Sequence, residues 1–183
     1  MRCVAQRHGQ RHGQRHDGRG GAGGVSGLGP VVLLPGYARR YVSARGGCVD
    51  VHETHGKLEL RQNLPVAVFL ADRGEAVQLL AVSRVPGSTS ADATRNGVEW
   101  EFKSLESSSA NAVDTALRNA SKQANRVLLA VPPDIRPALL EQAMFDRLRR
   151  SLNLQEVAIL KSGELYHFTR NEVMQNAFRG RMG

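Results

Sequence analysis

Asn96-Gly97, set between two short alternating runs, constrains this chain more than any other pair of residues. A two-residue type I′ turn needs positive φ at both central positions, which Asn and Gly tolerate best. With that pair as the loop, Arg95 faces Val98, Thr94 faces Glu99, Ala93 faces Trp100 and Asp92 faces Glu101. Side chains alternate across a strand. One face therefore carries Val98, Trp100 and Phe102 opposite Ala91, Ala93 and the stem of Arg95, and reads as core. The other carries Asp92, Thr94, Glu99, Glu101 and Lys103. Cross-strand partners have Cβ atoms ~4.5–5.5 Å apart, and like charges so placed destabilise a sheet. Two facing carboxylates persist if they stay in water, share a proton or hold a cation. The last of these is chemistry.

Elements on either side follow from periodicity and breakers. Val49 and Val51 suggest a short strand, and residues from about Lys57 to Arg73 a helix with Val66, Ala67, Phe69 and Leu70 inward and Gly74 as its stop. Pro65 either starts the regular helix or kinks a longer one, so Glu59 lies on it or just before it. Val77 to Val82 reads as a buried strand ahead of the hairpin. After a Ser-rich loop, Asn111 is the expected N-cap of a second helix with Val113, Ala116, Leu117, Ala120 and Ala124 as its apolar stripe. Gln123 falls about 20° from Ala116 on that helix and needs a polar partner. Arg126 to Val131 is a strand, and Pro137 starts a third helix reaching about Arg150. Val157 to Leu160 and Leu165 to Phe168 flank Ser162-Gly163 as a second hairpin. Thr169 with Glu172 makes a capping box for a last helix through Phe178. The fold class is thus α/β in the broad sense (α+β): a mixed β-sheet flanked by helices, ordered α-β-β-β-α-β and then helix, hairpin, helix.

Net charge says less than its total of +8 suggests. Residues 1–45 hold eight Arg against one Asp, whereas the remainder holds 17 basic and 16 acidic residues. The body is nearly neutral, so bulk charge does not argue for nucleic acid. The segment opens with Arg7-His8-Gly9-Gln10, repeated at Arg11-His12-Gly13-Gln14, and continues Gly-rich to Pro30. Nothing there can bury a core. Residues 1–45 are expected to form a disordered basic extension, and residues 46–183 the folded domain. Two cysteines make no disulfide scaffold. The run Val31 to Leu34 is too short to span a membrane, and no secretory hydrophobic stretch follows the basic start. A cytoplasmic protein, in the producing or a target cell, without a membrane partner is expected.

The element order, with Asp92 in the hairpin and Glu101-Phe102-Lys103 on the next strand, resembles the core of the PD-(D/E)xK nuclease superfamily. The wider run from Asp92 to Lys103, then Ala116-Leu117-Arg118 through Lys122-Gln123-Ala124 and Val127-Leu128-Leu129, resembles the C-terminal tRNA-nuclease domain of contact-dependent growth-inhibition (CdiA) toxins. The resemblance covers residues 55 to 131 and continues toward the C-terminus. Ala91 stands where the family usually has Pro, which removes a turn constraint but no ligand. The resemblance implies a metal-dependent endonuclease of toxin type that hydrolyses RNA, tRNA first among substrates. Asp92 and Glu101 would hold a divalent ion, Mg²⁺ before Mn²⁺ or Zn²⁺, with Glu59 as a third carboxylate. Lys103 would orient water or neutralise charge, Gln123 would position substrate or water, and Lys122 and Arg118 would contact substrate. A cognate immunity protein would be a partner.

Other readings use the same residues. Asp92, Glu101 and Lys103 also fit a solvated sheet face with an ordinary Glu-Lys pair. The fold class equally serves DNA endonucleases of restriction and repair, and non-catalytic nucleic-acid-binding modules. A metal-independent ribonuclease would use His167 as acid and Arg170 as phosphate clamp.

Overall fold

The computed structural model describes residues 33–82 and 90–182. The N-terminal repeats lie outside the described residues. Eight strands form one mixed sheet in sequential order: β1 (Tyr37–Val42), β2 (Cys48–His52), β3 (Ala76–Leu79), β4 (Ala93–Arg95), β5 (Val98–Ser104), β6 (Arg126–Ala130), β7 (Glu156–Lys161) and β8 (Glu164–Thr169). The β2–β3, β5–β6 and β6–β7 pairs are parallel and the rest antiparallel. Parallel neighbours need a crossover. Each has a helix: α1 (Lys57–Ala71), α2 (Ala110–Ala120) and α3 (Pro137–Arg150), with α4 (Arg170–Met174) closing the chain. From α1 onward the order is the expected one.

Alternation divides the core between the two faces of the sheet. On one face α1 packs Val66, Ala67 and Leu70 against Val49, Val77, Leu79, Trp100 and Phe102. On the other, α2 and α3 bring Val113, Leu117, Leu140, Met144 and Leu148 onto Val127, Leu129, Val157 and Ile159. Pro65 sits inside α1, so Glu59 lies in the first turn of a continuous helix. Gly47 allows the end of α1 to close on the sheet: a Cβ there would lie 2.0 Å from the carbonyl oxygen of Ala71.

The central hairpin has the expected register, Ala93 to Trp100, Thr94 to Glu99 and Arg95 to Val98. Asn96 and Gly97 have φ of 49° and 84°. The second hairpin turns likewise through Ser162 and Gly163.

Four local expectations change. Residues 37–42, assigned to the extension, form β1 on β2, where Arg39 pairs with Asp50. The folded part therefore begins before residue 46. Strand β3 ends at Leu79, short of Val82. Helix α2 is capped by Ser109, whose hydroxyl accepts from Ala112 N at 3.2 Å, while Asn111 sits within the first turn. The Thr169–Glu172 capping box forms, but α4 is only five residues long, and Asn176 at φ 58° lies beyond its end.

Candidate active site

Strand β4 begins at Ala93, and just before it the side chain of Asp92 continues the hairpin's pairing. Phe102 N on β5 donates to Asp92 Oδ2 at 3.1 Å, and Leu80 N donates to Asp92 O at 2.9 Å. Asp92 is thereby fixed between β3 and β5, on the same face as Glu101 and Lys103. Lys103 Nζ pairs with Glu101 Oε1 and stands 3.9 Å from Asp92 Oδ2. The two carboxylates and the ammonium expected on one face do converge.

Glu101 is fully buried. Burial pushes its carboxyl up to about 7, the nearby charge of Asp92 adds to the rise, and Lys103 opposes both. Gln123 Nε2 donates to Glu101 Oε1 at 2.7 Å. Gln123 is not on the helix as expected: α2 stops at Ala120, and the following turn swings the amide toward β5. It positions the carboxylate. Glu101 Oε2 is buried without a hydrogen-bond partner among the described residues.

A cleft of about 240 Å³ opens over this group, with His55, Glu59, Ser90, Asp92, Lys103 and Gln123 as its polar lining. Glu59 thus reaches the cleft, but it is exposed and its carboxylate folds back over Gly56, where a Cβ would meet Glu59 Oε2 at 2.0 Å. Among the described residues no three His, Cys, Asp or Glu side chains are grouped to hold a metal ion. Glu59 therefore does not complete a ligand set with Asp92 and Glu101. A two-carboxylate site with one buried, unpartnered oxygen still suits Mg²⁺, which takes one or two protein carboxylates and keeps several waters. It suits Zn²⁺ less, since that ion takes three or four protein ligands.

The remaining assignments separate. Arg118 and Lys122 are exposed and do not line the cleft; Arg118 instead helps hold the Asp114 carboxyl low, behind the larger effect of Arg147. His167 and Arg170 do not form an acid and clamp. His167 Nδ1 pairs with Glu156 Oε1 at 2.7 Å, and Arg170 Nη1 donates to the carbonyls of Leu148, Ser151 and Leu154 at 2.7, 2.8 and 3.3 Å. One cleft residue was missed. His55 has no periodic pattern around it, and its partner, the Leu80 carbonyl, is 25 residues away.

The fold and site define a class: an α+β domain whose hairpin brings Asp92 and Lys103 to one cleft and buries Glu101 against Lys103. A family model described as the contact-dependent growth inhibition CdiA C-terminal domain matches residues 89–165. The matched segment holds Asp92, Glu101, Lys103 and Gln123 and is similar to that toxin-domain family. Among solved structures, a chain of a CdiA-CT/CdiI toxin and immunity complex from Burkholderia pseudomallei is similar, at 20% identity and a TM-score of 0.47, over 62% of this chain and 89% of that one. No curated protein sequence matches. No helix among the described residues is long and apolar enough to cross a membrane.

Proposed function

We propose that the domain is a metal-dependent endonuclease of PD-(D/E)xK type that hydrolyses RNA phosphodiesters, tRNA foremost, as the toxic part of a growth-inhibition system. The observation that supports this is the convergence of Asp92 and Glu101 on Lys103 at the cleft, with Glu101 buried and braced by Gln123. An isolated surface ion pair has no reason to be buried at a cost. The choice of tRNA rests on the resemblance of residues 92 to 131 to tRNA-nuclease domains. The family also makes a cognate immunity protein the expected partner.

Asp92 and Glu101 would hold the divalent ion, which when bound would polarise a phosphoryl oxygen and acidify a water. Lys103 is placed to orient the attacking water and to offset charge on the transition state. Gln123 keeps Glu101 aligned. Glu101 must shed its proton to accept a cation, so ion binding strengthens as pH rises through about 7.

The test is expression of wild-type, Asp92→Ala and Lys103→Ala proteins, with cleavage of total tRNA, ribosomal RNA and plasmid DNA followed side by side. Both variants are expected to lose toxicity and to lose roughly a hundredfold or more in tRNA cleavage. Unchanged cleavage in both would sink the proposal, and preferential cutting of plasmid would replace RNA with DNA as substrate.

A further inference from the structure

His55 lies between β2 and α1, is only 7% exposed, and lines the cleft beside Asp92 and Lys103. Its Nδ1 is 2.6 Å from the carbonyl oxygen of Leu80. A carbonyl can only accept, so Nδ1 carries the hydrogen, and in the neutral ring Nε2 is left with a lone pair. That Nε2 is buried and has no hydrogen-bond partner among the described residues. Buried polar atoms are seldom left so without a reason.

Three ligand groups can be weighed for it. The proposed Mg²⁺ is disfavoured here, because it takes carboxylate and water oxygens in preference to an imidazole nitrogen. A phosphodiester is disfavoured too, since its oxygens are acceptors and would face a lone pair. What remains is a hydrogen donor. Along a nucleic-acid backbone the only donor is the ribose 2′-hydroxyl, which DNA lacks. We propose that His55 Nε2 accepts a hydrogen bond from the 2′-hydroxyl beside the scissile phosphate, so that His55 sets the preference of this site for RNA over DNA. The assignment rests on the nuclease reading above. It concerns specificity and adds no step to the hydrolysis.

Two substitutions separate the halves of the ring. In His55→Asn the amide nitrogen can still donate to Leu80 while the distal acceptor is gone. In His55→Gln an amide oxygen reaches the Nε2 position. The substrate is a tRNA carrying the cleavage site mapped with wild-type protein, made with ribose throughout and again with one 2′-deoxyribose at the scissile nucleotide. Wild type is expected to cleave the substituted tRNA with kcat/KM lower by roughly tenfold to a hundredfold. In His55→Asn the all-ribose rate should fall to that of the substituted tRNA, erasing the ratio, with melting close to wild type; His55→Gln should restore part of it. Equal cleavage of both tRNAs by wild type overturns this proposal while leaving the nuclease intact. So does a ratio that His55→Asn leaves unchanged, because both rates then fall together. Absence of cleavage of the all-ribose tRNA by wild type removes the nuclease reading itself, and this proposal with it.

Discussion

Glu101 is a carboxylate that folding removes from water and sets against a second carboxylate, with one lysine to compensate. Its stability signature has a definite sign. Between about 4.5 and about 7 the folded protein keeps on Glu101 a proton that the unfolded chain has released. The contribution to stability is therefore full below that window and is lost as pH rises through it. In EDTA, the melting midpoint of wild type should fall relative to that of Glu101→Gln as pH climbs from 4.5 to 7. Parallel curves for the two proteins would contradict the burial argument. A divalent ion bound as proposed would reverse the balance by taking the proton's place. At neutral pH, Mg²⁺ at a hundredfold excess over its dissociation constant should stabilise wild type by ~2.7 kcal/mol and leave Asp92→Ala unmoved. At this scale Asp92, Glu101 and Lys103 were legible because a type I′ turn fixes register and alternation then fixes the face. Gln123 was legible as a partly buried amide, though through a helix face that does not extend so far. His55 was not legible, since only tertiary contact with Leu80 gives it meaning.

Elements were read best where their signals are local. Pro137 opening α3, the two turns with positive φ, and the Thr169–Glu172 box all stand as their residue types require. Signals that compete were harder. Ser107, Ser108 and Ser109 offer three hydroxyls before α2, and packing of Val113 and Leu117 on the sheet selects the last of them rather than Asn111. Strand β1 turns Tyr37, Arg39 and Tyr41 to its half-buried face, a mixed polar and aromatic set, and draws its place from pairing with β2, so composition grouped it with the Gly-rich leader. Arg170 illustrates how a residue that looks like a phosphate ligand serves an element instead: its guanidinium meets three carbonyls at and beyond the end of α3. Arg170→Ala should cost about 2 kcal/mol in chemical denaturation, as charged hydrogen bonds to buried acceptors do. Cleavage at a temperature well below the transition should be unaffected. A loss of activity without loss of stability would return Arg170 to the site.

For the whole molecule, the boundary of the folded unit is the testable quantity. A chain beginning at Gly46 lacks β1, which removes the Arg39 partner of the buried Asp50 and the 2.6 Å bond from Tyr41 to Asp72 on the α1 side. An uncompensated buried carboxylate costs about 3 kcal/mol, and the bare edge of β2 invites association. Unfolding and light scattering of chains starting at residues 33 and 46 should therefore differ, with the shorter one less stable and more prone to aggregate. Equal stability would mean that β1 is ornamental.

The sequential order of the eight strands has a kinetic corollary. Every strand docks beside the strand that precedes it in sequence, so no segment has to wait for a distant partner to be found. Closing short loops one after another is cheap in entropy compared with closing long ones. A polypeptide of this design can rebuild itself from one end to the other as it is released, in the manner of a zip, which is a useful property for any cargo that must cross a barrier unfolded and resume its shape on the far side.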